Sequence, residues 1–211
     1  MKKLLLILLC LPMIGFGQNV YIPDANFKAY LVGNTAINTN GDNEIQVSEA
    51  TAFSGEISCG YMNISDLTGI EDFTALTELF CYGNLLSILD VSNNTALTDL
   101  HCGGNQLTSL DVSQNTALTD LRCMTNQITS LDVSQNTALT YLSCYNNQLT
   151  SLDVSNNTAL ITLYCYVNQL ISLDVSQNTA LTDLRCETNQ ITSLDVSNNT
   201  ALTDLNCSNN L

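Results

Sequence analysis

Seven cysteines, Cys81, Cys102, Cys123, Cys144, Cys165, Cys186 and Cys207, stand 21 residues apart, and no other feature constrains the fold as tightly. The same words surround each, as in Leu97-Thr-Asp-Leu-His-Cys-Gly-Gly-Asn-Gln-Leu-Thr-Ser-Leu-Asp-Val-Ser-Gln-Asn-Thr-Ala117. Six complete copies run from Leu76 to Ala201, and a partial seventh from Leu202 to Leu211. A unit this short cannot bury its apolar positions alone, so successive copies must stack into a solenoid with one continuous core.

Each unit divides into two rhyming halves, Leu97-x-x-Leu100-x-Cys102-x-x-Asn105 and Leu107-x-x-Leu110-x-Val112-x-x-Asn115. Alternation of Leu with Cys or Val points those side chains inward along a strand or extended segment, expected on each of two faces. Asn105, Asn115 and their counterparts end each half, where amides bonding backbone groups give two internal ladders. Nothing from Leu76 onward sustains the apolar stripe of a helix. The cysteines take an inward slot, stacking about 4.8 Å apart in a single file. Their side chains run parallel instead of facing one another, which favours buried free thiols over disulfides and leaves no tetrahedral metal site.

These motifs resemble the short, nested 21-residue leucine-rich repeats of exported bacterial surface proteins. The stretch before them, Ile64-Ser-Asp-Leu67-Thr-Gly-Ile70-Glu-Asp-Phe-Thr-Ala-Leu76, is similar to the 22-residue internalin repeat. The resemblance implies a β-rich solenoid, a right-handed leucine-rich repeat coil with a small α-helical N-terminal cap. It also implies binding of surface receptors through the strand-bearing face.

Three regions follow: a leader at 1–17, a helical cap with an EF-hand-like loop at 18–56, and the solenoid at 57–211. In the leader, Lys2 and Lys3 precede an apolar run from Leu4 to Ile14, and Gly15-Phe16-Gly17 forms a small-x-small cleavage site. That is a secretory signal peptide, too short to span a bilayer, and it places the protein outside the cell or on a bacterial surface. The solenoid's exposed first coil needs a cap. Pro23-Asp24-Ala-Asn-Phe27-Lys-Ala-Tyr30-Leu31 supplies one helix behind a capping Asp, and a second is expected after Ser48. The chain stops at Leu211 in mid-repeat, as a fragment or truncated reading frame would.

Without Lys2 and Lys3, three basic residues (Lys28, Arg122, Arg185) face 20 acidic ones, a formal charge of −17. Such a surface repels nucleic acid and anionic membranes. Between the cap helices, the segment from Asn38 to Glu49 aligns with a twelve-residue calcium loop. Asn38, Asn40, Asp42, Gln46 and Glu49 offer side-chain oxygens and Glu44 a backbone carbonyl. Asn38 replaces the usual first Asp, and Asn43 the turn glycine. A weak structural calcium site is expected, with an asparagine-rich capped turn as the alternative. A column of Asp90, Asp111, Asp132, Asp153, Asp174 and Asp195 reads as carboxylates held by serines and turn N–H groups, or less economically as a row of loosely held cations.

The copies diverge most at the outward positions around each cysteine. Tyr82, Arg122, Tyr141, Tyr145, Tyr164, Tyr166 and Arg185 fall there, and Tyr and Arg are the types enriched at interface hot spots. We therefore expect a non-catalytic module that binds a protein or glycan on a cell surface. The single histidine, His101, lies on the same face with no nucleophile expected beside it. A structural spacer is the rival reading. An ice-binding solenoid is another, because Thr95, Thr116, Thr137, Thr158, Thr179 and Thr200 form a regular column.

Overall fold

The computed structural model describes residues 17–211, so the expected leader lies outside the described residues apart from Gly17. Helices α1 (Ala25–Gly33) and α2 (Val47–Ala52) precede eight strands. These are β1 (Glu56–Ser58), β2 (Glu78–Phe80), β3 (Asp99–His101), β4 (Asp120–Arg122), β5 (Tyr141–Ser143), β6 (Thr162–Tyr164), β7 (Asp183–Arg185) and β8 (Asp204–Asn206). They form one sheet in chain order. Each pair is parallel and in register by one repeat, so that Asp99, Leu100 and His101 sit beside Asp120, Leu121 and Arg122. The chain is a leucine-rich repeat solenoid with little helix.

Each strand is short because the backbone turns two residues after every cysteine. Gly83, Gly104, Thr125, Asn146, Val167, Thr188 and Asn209 all have positive φ, from 52° to 67°. Glycine meets that requirement freely, whereas a residue with a Cβ gives up about 1–2 kcal/mol there. The second half of the repeat takes the extended-segment alternative, since Leu110-Asp-Val112 joins no sheet. Two tight turns close it instead, with the Asn115 N–H donating to Val112 O at 3.0 Å and the Leu118 N–H to Asn115 O at 3.1 Å. Asp111 reinforces them by accepting the Ser113 N–H at 2.9 Å, so the polar run folds on itself and leaves no edge to pair.

Both asparagine ladders form, and they differ. Asn105 donates to Cys81 O and Cys102 O and accepts the Leu86 N–H at 3.0 Å. The same triad recurs at Asn126, Asn147, Asn168 and Asn189. Asn115 likewise donates to Val91 O and Asn94 O. Its Oδ1, however, is buried with no partner, as are those of Asn94, Asn136, Asn157, Asn178 and Asn199.

The core is a set of parallel files. Leu97, Leu100, Cys102, Leu107 and Val112 are all fully buried, and their counterparts continue each file. The cysteines are free and buried from Cys81 to Cys186, while Cys207, on the last coil, is exposed. Cys59 is an additional member of the file, set there by the pairing of β1 with β2. It precedes Cys81 by 22 residues, which hides it from a 21-residue period. Burial pushes the thiols up, to about 12 at Cys59 and Cys123 and about 11 at Cys186. The reactive thiolate is thereby suppressed.

The cap covers the first coil. Asp24 accepts the Asn26 and Phe27 N–H groups at the start of α1, and its other oxygen accepts the N–H and hydroxyl of Ser65. Phe27, Leu31, Ile37 and Ile45 are fully buried between the cap and the coil. Tyr30 Oη accepts the Ser58 N–H at 2.8 Å, satisfying a donor on the edge strand.

Asn105→Ala leaves the buried Leu86 N–H unpaired, at a cost of about 1–3 kcal/mol, while Cys81 O and Cys102 O keep the amides of Asn84 and Asn126. Asn115→Ala orphans no backbone group, since Val91 O still accepts the Asn94 N–H and Asn94 O the Leu97 N–H, and it removes an oxygen that had no partner. We expect Asn105→Ala to lower urea-unfolding stability clearly more than Asn115→Ala; equal losses would contradict the assigned bonding. Of the eight thiols from Cys59 to Cys207, only Cys207 should react promptly with a thiol reagent in the native state, and all eight after denaturation.

Candidate functional site

Outward positions of the strands and of the residue after each cysteine build one continuous surface. Its first column reads Glu56, Glu78, Asp99, Asp120, Tyr141, Thr162, Asp183, Asp204 along the parallel register. The sheet brings all seven expected recognition residues to this surface, since each occupies a strand or follows its cysteine.

Four of the seven interlock. Arg122 donates from Nε to Asp120 Oδ1 at 2.9 Å and from Nη2 to Asp120 Oδ2 at 2.7 Å. Its guanidinium carbon then lies 4.5 Å from the centre of the Tyr141 ring. Tyr141 meets Tyr164 edge-on at 5.7 Å, and Arg185 lies 5.2 Å from the Tyr164 ring centre. Tyr164 donates its hydroxyl to Asp183 Oδ2 at 2.5 Å, a bond that pushes its pKa up to about 12. Tyr145 and Tyr166 form a separate parallel stack, 4.3 Å apart and 8° from coplanar. Burial, with Tyr145 alongside, pushes Tyr166 up to about 12. Cation–π contacts of this exposed kind contribute about 0.5–1 kcal/mol each. Their larger effect is to hold long side chains in place before any partner arrives.

Tyr82 belongs to a second cluster. It packs edge-on against Tyr61 at 5.2 Å, over Gly60, where a Cβ would come within 2.7 Å of the Tyr82 ring. Phe80 stacks on His101 at 4.3 Å. His101 Nε2 lies 3.5 Å from Asp120 Oδ1, and Asp99, His101 and Asp120 bring potential ligand atoms together within 4.8 Å. Arg122 already donates to both oxygens of Asp120, which fills that corner with a protein cation. Burial works against ionisation of Asp120, but the hydrogen bonds from His101 and Arg122 outweigh it and hold the carboxyl below its ordinary range. Tyr61, Phe80 and Met124 were missing from the sequence-derived set. Tyr61 follows Cys59, outside the strict period, and Phe80 and Met124 carry no polar signal.

The loop between α1 and α2 is closed by its own hydrogen bonds. Glu49 Oε1 accepts the Thr39 N–H, the Thr39 hydroxyl and the Asn40 N–H, and Oε2 accepts the Gln46 N–H. Burial works against its ionisation, yet these donors win and hold its pKa below the ordinary value. Asn38 Oδ1 accepts the Gly41 N–H, Asn40 Oδ1 the Asp42 N–H, and Asp42 Oδ1 the Glu44 N–H. Gln46 Oε1 accepts from Asn40 Nδ2, and the Glu44 carboxylate pairs with Lys28 at 2.7 Å. The side-chain oxygens at the calcium-loop positions thus accept N–H and O–H donors from within the loop.

The Asp column is held as the serine spacing suggests. Asp90, Asp111, Asp132, Asp153, Asp174 and Asp195 each accept the N–H two residues on, which lowers their pKa values. The Thr95-to-Thr200 column lies in turns beside them, so it builds no flat sheet array.

No protein-family model matches the chain, and no curated protein matches it. Solved structures do. The fold and its ladders define a leucine-rich repeat solenoid, and solved structures of the internalin type are similar to it. The chain is similar to the functional domain of InlJ from Listeria monocytogenes, which includes a cysteine ladder, with 41% identity and a TM-score of 0.76 over 92% of this chain and 48% of that one. A leucine-rich repeat protein of Leptospira interrogans matches at 26% identity and a TM-score of 0.65, over 69% of this chain and 40% of that one. Internalin C2 of Listeria monocytogenes shares the fold at 20% identity and a TM-score of 0.64, over 89% of this chain and 98% of that one. The chain therefore spans less than half the length of the first two. No helix among the described residues is long and apolar enough to cross a membrane.

Glu49→Ala should lower the melting temperature by the same amount with millimolar calcium as with chelator, and calcium should leave the wild type unmoved. A calcium-dependent rise that vanishes in Glu49→Ala would instead establish an ion site.

Proposed function

We propose that this is an exported, non-catalytic binding module of the cell surface that recognises a protein through its strand face. The observation that carries the reading is where the copies diverge. The Leu, Cys, Val and Asn positions that build the coil are nearly uniform, while the residues exposed on the strands differ from coil to coil. A spacer needs no such surface, and its exposed positions would have no reason to gather Arg122, Tyr141, Tyr164 and Arg185 into one linked array. Rigid aromatic and Arg side chains offer large contact area at small entropic cost. The similarity to the functional domain of InlJ supports the same role.

The test is capture from surface extracts of host and neighbouring cells. The comparison variant carries serine in place of Tyr141, Tyr145, Tyr164 and Tyr166, with its fold verified by circular dichroism. A protein retained by the wild type should be held at least about tenfold less by the variant, as loss of hot-spot residues implies. Equal retention by both would return the surface to a spacer's role.

A further inference from the structure

The strand face has a charge pattern that narrows the class of partner. Resting on the strand-face reading above, we propose that the partner is an extended polypeptide segment with Lys or Arg at both ends of an uncharged stretch, laid across strands β3 to β7.

The first ground is the balance of charge. The face carries Glu56, Glu78, Asp99, Asp120, Asp183, Glu187 and Asp204 against Arg122 and Arg185, seven carboxylates to two guanidiniums, or −5. Arg122 is committed to Asp120, and Arg185 Nε lies 3.5 Å from Asp183. That leaves Glu56, Glu78 and Asp99 side by side at one end of the face, and Glu187 and Asp204 at the other. Between them, β5 and β6 present Tyr141, Thr162 and Tyr164 without a charge, over a buried Ser143. Carboxylates in adjacent strands repel, and bound cations relieve that repulsion.

Unmet hydrogen-bonding capacity is the second ground. Glu187 Oε2 is buried from solvent and accepts no hydrogen bond, whereas Asp183 Oδ1 already has Arg185 Nε at 3.5 Å. Buried polar atoms are normally paired, and an ammonium or guanidinium supplies what Glu187 lacks.

Ring orientation is the third, and it separates a polypeptide from a sugar. Tyr145 and Tyr166 come from successive coils and stack on each other, so their faces point along the solenoid and their edges and hydroxyls point outward. Arg122 covers Tyr141, and Arg185 covers Tyr164. A pyranose packs its C–H groups on an open ring face, whereas peptide groups pair with phenol hydroxyls and ring edges. Asp99 and Glu187 lie four coils apart along the solenoid and four positions apart along the strand direction, about 23 Å in all, which about seven residues of extended chain span obliquely.

Panning a random twelve-residue peptide display library on the whole chain tests the inference. We expect the selected peptides to carry Lys or Arg in two clusters about seven positions apart. That enrichment should fall about fivefold on a chain carrying Asp99→Asn and Glu187→Gln. It should persist on one carrying Asp132→Asn and Asp153→Asn, which remove as much charge from the Asp column. Loss on both variants, or selected peptides with no such pair, would overturn the proposal. Peptides that lack the cationic pair yet depend on the four tyrosines would sink this inference alone, while peptides indifferent to both sets would sink the strand-face reading as well. Tyrosine-dependent binding of neutral oligosaccharides would overturn the choice of a polypeptide.

Discussion

Everything in this molecule hangs on an amide side chain placed where the strand ends. At Asn105 a backbone N–H and two carbonyls from two successive coils all find partners in one residue. Without it, each turn would bury backbone groups with nothing to bond, and no apolar file could compensate for seven such turns. The leucine and cysteine files supply the burial, but the asparagine sets the pitch at which they stack. The ladder holds even across the 22-residue step before Cys81, where Asn84 donates to Cys59 O and Cys81 O and accepts the Ile64 N–H.

A scaffold satisfied in this way leaves the strand face unconstrained by folding. Only alternate residues of each short strand point inward, so Asp, Tyr or Thr can occupy the same register position with Leu beneath unchanged. The linked tyrosines and arginines then gain order from one another and not from the core. Because Arg122 is held both by Asp120 and by the Tyr141 ring, little of its rotamer freedom is left to lose on binding.

Much of the fold was legible because a repeat states each rule many times. The buried thiol file, both asparagine ladders and the serine-held Asp column all follow from spacing and side-chain chemistry. Three things did not. The second half of each repeat reads as a strand or an extended segment at Leu110-Asp-Val112, and local hydrogen bonds at Asp111, which the pattern does not rank, decide between them. Cys59 was hidden by a single inserted residue. At the candidate site, residue types were legible but orientation was not. That Tyr145 stacks on Tyr166 while Tyr164 turns to Asp183 depends on neighbours one coil away, which a linear pattern does not rank. The loop to Glu49 shows the same limit, since a carboxylate at a ligand spacing can equally cap the next helix.

The uniform register has a further implication for how such a surface changes over generations. Adjacent copies are so alike in Leu-Asp-Val-Ser-x-Asn-Thr-Ala-Leu that genetic exchange between them can remove or duplicate a whole coil while every ladder rejoins in phase. The unit of variation is then the coil, and one such event would shift the acidic ends of the face nearer or farther by a full strand spacing. Point substitution tunes a column; slippage between copies rewrites the distance between columns' contents, and the fold accommodates both.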